Sequence, residues 1–177
     1  MAYGYIIPVK VAAKDVDAFN RSAVSDAVME NGFVGVASTK SSTAGEKEVF
    51  SFVTPTTGNL SHLWMAYESP VVITDSKYKG IDPDPRNFSI AIGDVFSIFK
   101  PQIGDLIAMS ADALAGTQST NTFVVATNTA DALTWASAAV SGLSLKLIDD
   151  SYWVSIGLGT IGSQRLALDL FEVQAVA

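Results

Sequence analysis

The sequence predicts a mostly β fold with one or two short helices, an α+β chain arranged as an antiparallel sheet or a small β-barrel or sandwich. Three observations carry this. Short runs rich in Val, Phe, Leu and Thr recur at close spacing, as in VFSFVTP (49–55), FVVATNT (123–129) and LSLKLI (143–148). Turn residues punctuate them, with Ile-Gly-Asp repeated at 92–94 and 103–105. Strand candidates follow one another with few helical ones between, which is not the alternation that builds a parallel sheet.

In chain order, Tyr3 to Ala12 reads as a strand broken or bent at Pro8. The segment 15–31 is the best helix. Asp15 or Asp17 can cap it, Val16, Phe19, Ala23, Val24, Ala27 and Val28 recur at three and four, and Gly32 after Asn31 is a stop. FVGVAST (33–39) is a short strand, 40–48 is a polar loop carrying Gly45, and VFSFVTP alternates until Pro55. TTGN (56–59) turns. LSHLWMAYES (60–69) is apolar on both faces, which suits a buried strand or a short helix, and 71–80 resumes as a strand after Pro70.

The segment IDPDPRN (81–87) holds no regular element, because its two prolines set their own φ and restrict the residues before them. It is the clearest internal boundary. The chain reads as one domain over 1–177, with 1–81 as an α+β part and 86–177 as a β-rich part if it divides. KPQIGD (100–105), between VFSIF and LIAMS, has the composition of a hairpin turn and favours a meander or small barrel. ADALAGTQSTNT (111–122) is a loop with a helical turn, and ADALTWASAAVSG (130–142) is the second short helix. LSLKLI, YWVSIGL and the run after Ser163 are the last strands, the final one with a bulge near Leu170–Phe171.

Composition bounds the chemistry. A chain of 177 residues buries about two thirds of its unfolded surface without a metal or disulfide. It has no cysteine, which removes disulfides, thiolate metal sites and a cysteine nucleophile. The net charge is −7, with 18 acidic and 11 basic residues, the latter scattered singly. Neither nucleic acid nor an anionic membrane surface is an expected partner. Charged residues are 16% of the chain against about 25% in an average domain. Such a surface resembles a protein–protein interface, or simply a β-rich domain favouring Thr and Val. The N-terminal stretch is broken by Pro8 and Lys10 and has no basic start, so neither a signal peptide nor a membrane span is expected, and the chain reads as soluble.

Each candidate for chemistry lacks its context. GLGTIG (157–162) comes after a strand as a dinucleotide turn would, but such a turn needs a helix, a returning parallel strand and an acidic residue about 20 positions on. Fifteen residues remain after Gly162, so the glycines are read as shaping a tight connection between two strands. His62 is the sole histidine and is read as a half-buried polar neighbour of Trp64, without the GxSxG elbow of a hydrolase. Asp75, Asp82 and Asp84, and again Asp149 and Asp150, are clustered but lack the rest of a calcium loop. Tyr152 and Trp153 point to opposite faces if their segment is a strand. Asn20, Asn59 and Asn87 head Asn-x-Ser triplets, which carry no glycosylation expectation without a secretory signal.

FSIFKPQIGDLIAMSADALAG (96–116) and YWVSIGLGTIGSQRLALDLFEVQAV (152–176) resemble stretches of small structural proteins of tailed bacteriophages encoded beside the major capsid protein, the decoration or cement proteins. The resemblance lies in the Gly-Asp turns and the terminal IGxQR…FEV strand; the first half matches no family. It implies a non-enzymatic virion protein, made in the host cytoplasm and bound to the capsid surface. It also implies the major capsid protein as partner, a homo-oligomer, and no catalytic, cofactor or metal residues. Two other readings compete. One is a carbohydrate- or receptor-binding β module presenting Trp64 or Trp135; the other is a small hydrolase using His62 or the Asp82/Asp84 loop.

Overall fold

The structure, a computed structural model, describes residues 2–42, 48–69, 72–73, 81–82, 84–157 and 163–176. It is mostly β, with two principal sheets, one of them a curled half-barrel, and no long helix. The strands in order are β1 (Ile6–Lys10), β2 (Asn20–Val24), β3 (Val34–Gly35), β4 (Val49–Ser51), β5 (Trp64–Ala66), β6 (Val72–Ile73), β7 (Ile81–Asp82), β8 (Val95–Phe99), β9 (Leu106–Met109), β10 (Leu114–Ala115), β11 (Phe123–Val125), β12 (Leu133–Ala136), β13 (Ser144–Gly157) and β14 (Ser163–Ala175). The helical elements among the described residues are 3₁₀ turns of three residues each.

Seven strands form the larger sheet in the order β1-β9-β14-β13-β11-β12-β10 and five the smaller in the order β3-β5-β8-β2-β4, while β6 and β7 form a separate pair. Each principal sheet takes strands from both sides of the proline-rich 82–87 segment. β1 joins β9 in the larger sheet, and β8 joins β2 and β5 in the smaller. Pairing is antiparallel except at β10–β12 and β2–β4.

The main core lies where the sheets share side chains. Ile6, Ile107, Met109, Phe171, Leu145 and Val173 come from the larger sheet, and Val34, Met65 and Phe99 from the smaller. A second cluster of Ala23, Phe52, Trp64, Ala66, Phe96 and Ile98 covers the other face of the smaller sheet. β5 is therefore buried on both faces, Met65 in one cluster and Trp64 and Ala66 in the other, which explains its unbroken apolar run. The ambiguity of 60–69 resolves to a strand.

The helix expected over 15–31 is absent. A 3₁₀ turn at Asp17–Phe19 leads straight into β2, which pairs with β8 from Asn20↔Phe99 to Val24↔Val95. Of the supposed apolar stripe Ala23 is buried, but Val16 is 42% and Val28 47% exposed, so the helical spacing never faced a core. Tertiary pairing overrode a local pattern. The second helix, over 130–142, is also absent. Its Leu133–Ala136 portion is β12, held between β11 and β10, with Trp135 tilted 54° against Phe171 at a centroid distance of 5.6 Å.

KPQIGD does turn, but not as a hairpin between adjacent strands. β8 belongs to the smaller sheet and β9 to the larger, so the turn hands the chain from one sheet to the other. Gly104 takes φ +89° and donates its N–H to Val173 O at 2.9 Å, which delivers β9 to β14. Pro8 bends β1 as read, with a register shift between Pro8 and Lys10.

The bulge expected in the last strand lies on its partner. β14 carries no extra residue at Leu170–Phe171, while β13 shifts register between Leu147 and Asp149 and between Asp149 and Tyr152; a third shift, between Ser144 and Leu145, lies opposite Val173 and Ala175. Leu166 and Leu168 are buried on one face of β14 and Phe171 and Val173 on the other. The change of phase in LALDLFEV thus marks where burial passes from one face to the other. Extra residues bend a strand, and beyond the bend Tyr152 and Val154 pack with Leu166, Leu168, Tyr5, Ile7 and Val9.

Candidate functional site

Four of the large apolar side chains exposed among the described residues gather at one end of the smaller sheet. Val28 is 47% exposed, Val53 51%, Ile92 62% and Val95 50%. Backbone pairing brings their segments together. Val24 pairs with Val95, Phe52 N donates to Val24 O at 2.8 Å, Gly93 N donates to Ser25 O at 3.0 Å, and Met29 bridges Ile90. Val53 and Ile92 also line a groove of about 390 Å³, with Val24, Ser25, Asp26 and Phe52 among its other walls. Apolar side chains grouped in this way mark an interaction surface more than a scatter of single exposed residues does.

Ile-Gly-Asp explains part of the patch. Gly93 adopts φ +81°, a conformation glycine tolerates, and the turn leaves Ile92 at its tip. The second copy behaves alike, with Ile103 69% exposed. The repeat was visible in the sequence; that it exposes an isoleucine each time was not, because burial depends on which sheet each turn serves.

The residues considered for catalysis are dispersed. His62 sits at φ +62° in an exposed turn whose N–H donates to Val176 O at 3.0 Å, and no side chain among the described residues hydrogen-bonds its imidazole. It is thus more exposed than expected; Trp64 is buried under Arg21 instead. Asp84 caps the 3₁₀ turn at Pro85–Asn87 and forms an ion pair with Arg86 at 2.6 Å. The Arg86 hydrogen bond holds its carboxyl below the usual carboxylate range. Asp82 lies in β7, and Asp75 falls outside the described residues.

Asp149 and Asp150 occupy the β13 bulge, where Asp149 Oδ1 accepts from Ser151 N at 2.8 Å and from its hydroxyl at 2.7 Å. These bonds lower the Asp149 carboxyl. Across the ladder Asp169 is raised by burial first, then by the charges of Asp150 and Asp149. Asp131 is raised by burial, against a hydrogen bond from Thr54, and its Oδ1 is buried without a partner. Among the described residues no group of three or more His, Cys, Asp or Glu is placed to hold a metal.

GLGTIG begins at Gly157, and residues 158–162 lie outside the described residues. The flanking strands pair antiparallel with Gly157 opposite Ser163. The motif therefore precedes a returning antiparallel strand, not the helix a dinucleotide turn opens. Tyr152 and Trp153 do face opposite ways: Tyr152 packs against the cluster of Ala108, Leu166 and Leu168, and Trp153 is 50% exposed with Arg165 4.1 Å from its ring centre. Of the tryptophans expected to present a sugar platform, Trp64 is buried and Trp135 packs against the main core.

No family model matches the chain, and no curated protein or solved structure matches it. Among the described residues no helix is long and apolar enough to cross a membrane.

Proposed function

We propose that the chain is a non-enzymatic structural protein of a bacteriophage virion, a homo-oligomer that binds the major capsid protein on the assembled shell and stabilises it. The observation that carries this reading is the patch of exposed Val28, Val53, Ile92 and Val95, two of which, Val53 and Ile92, line a largely apolar groove, in a charge-poor chain. Completing the burial of a half-exposed aliphatic side chain contributes about 1 kcal/mol. One copy of such a patch binds weakly. Many copies presented by an oligomer to a repeating shell bind strongly through effective concentration, and binding only the assembled state stabilises it by mass action. Cosedimentation of the purified chain with shells lacking it tests the reading. Saturable binding supports it, and a chain left in the supernatant opposes it.

A second reading, a glycan- or receptor-binding β module, is favoured by Trp153 alone. Its indole is half-exposed on the long β13–β14 hairpin, with Arg165 against one ring. A glycan array tests it: binding abolished by Trp153→Ala supports the reading, and silence removes it.

A further inference from the structure

Three arginines occur in the chain, and they are held differently. Arg86 is neutralised by Asp84. Arg165 lies over Trp153 on an exposed strand. Arg21, half-buried, leaves β2 with its guanidinium against two rings, 4.3 Å from the centre of Phe50 and 4.4 Å from that of Trp64. Its Nη1 donates to Ala37 O at 3.0 Å, and its other N–H groups have no partner among the described residues. It lines a groove of about 730 Å³ with Asn20, Ser22, Glu48, Phe50 and Ser97.

We propose that Arg21 is the anchor of a carboxylate-binding site. A guanidinium is planar, permanently charged and suited to two-point recognition of an oxyanion. Here two aromatic rings and the bond to Ala37 O hold the group, so less side-chain entropy remains to be lost when an anion arrives. The two ring faces stabilise the cation, but apart from the bond to Ala37 O its edge donors have no partner among the described residues. A half-buried cation with no carboxylate bonded to it among the described residues, in a chain of net charge −7, is an unbalanced arrangement that an incoming anion completes. A singly charged carboxylate suits the site better than a doubly charged phosphate, because Glu48 lines the same groove. The carboxylate can come from an Asp or Glu side chain of a protein or from a small free acid, and both make the same pair of hydrogen bonds.

The test monitors the Trp64 indole N–H by NMR at constant ionic strength while sodium chloride, sodium acetate, sodium phosphate or the blocked peptide acetyl-Ala-Glu-Ala-amide is added. A saturable shift with acetate and peptide, absent with chloride and weaker with phosphate, is expected. Arg21→Lys keeps the charge and the ring contacts but loses the fork, and weakens binding by about tenfold; Arg21→Met abolishes it. Peptide binding tighter than acetate identifies a side chain as the source, and equal affinities identify a free acid. No saturable shift with either carboxylate, an equal response to chloride, or an unchanged response in Arg21→Lys overturns the proposal. Arg21→Lys serves as the folded control where Arg21→Met fails to fold.

Discussion

Asp105 Oδ1 accepts the backbone N–H of Ala12 at 2.9 Å, across 93 residues of sequence. Its other oxygen accepts Gln102 N at 2.8 Å, so one buried carboxylate secures both the turn that changes sheets and the segment leaving β1. Removing it strands two amide donors. Asp105→Ala is predicted to destabilise the fold by about 2–4 kcal/mol, and Asp105→Asn, which keeps one acceptor oxygen, by roughly half as much. Urea denaturation measures both. Equal, small effects would show that water serves these amides as well as the carboxylate does.

Gly35 is required for space. A Cβ built there would lie 2.6 Å from Cε1 and Cζ of Phe52 and 2.8 Å from Val53 O. Phe52 is itself buried and edge-on to Phe96 at 5.5 Å, so it has little room to yield. Gly35→Ala is predicted to cost about 1–3 kcal/mol through overpacking. A melting temperature at or above that of the parent would refute this packing.

Two carboxyls give the stability a defined pH dependence. Asp131 and Asp169 both have their pKa raised in the fold, chiefly by burial, with Asp150 and then Asp149 adding to the rise at Asp169. The folded chain therefore holds these protons more tightly than the unfolded chain does. Their contribution to stability falls as pH rises from the unfolded carboxylate range through the folded values, and is flat above. Asp169→Asn is thus expected to gain stability relative to the parent on going from pH 3 to pH 7. Asp150→Asn should move the Asp169 midpoint down in a carboxyl NMR titration; a stationary midpoint would remove Asp150 as a cause.

The apolar patch separates binding from folding. Ile92 and Val53 are more than half exposed, so Ile92→Asp and Val53→Asp should change the unfolding free energy by no more than about 0.5 kcal/mol. Each is predicted to reduce cosedimentation with capsids at least tenfold, since a charge would be desolvated without a partner. Unaltered binding by the double variant would place the contact on another face.

The β character of the chain was legible wherever turn chemistry and alternation agreed, as at Pro8 and around Tyr152–Trp153. The segment 15–31 misled because its apolar spacing fits a helix, whereas β2 is set by pairing with β8, from Asn20↔Phe99 to Val24↔Val95, in a ladder no local window contains. LALDLFEV misled differently: its change of phase at Leu170–Phe171 fits a bulge within that strand, whereas the buried face changes along β14 and the extra residues lie on β13. The candidate surface was half legible. Ile-Gly-Asp announced turns, but the grouping of Ile92 with Val53 and Val28 depends on three separate segments meeting. Arg21 carried no signal, because its clamp joins residues from β2, β4 and β5.

Mass spectrometry of purified virions from a phage whose genome carries the sequence tests the central proposal most directly. The account predicts the intact chain in the particles, at a copy number proportional to that of the major capsid protein. Its absence from the particles, with the protein abundant in the lysate that yielded them, would contradict the account.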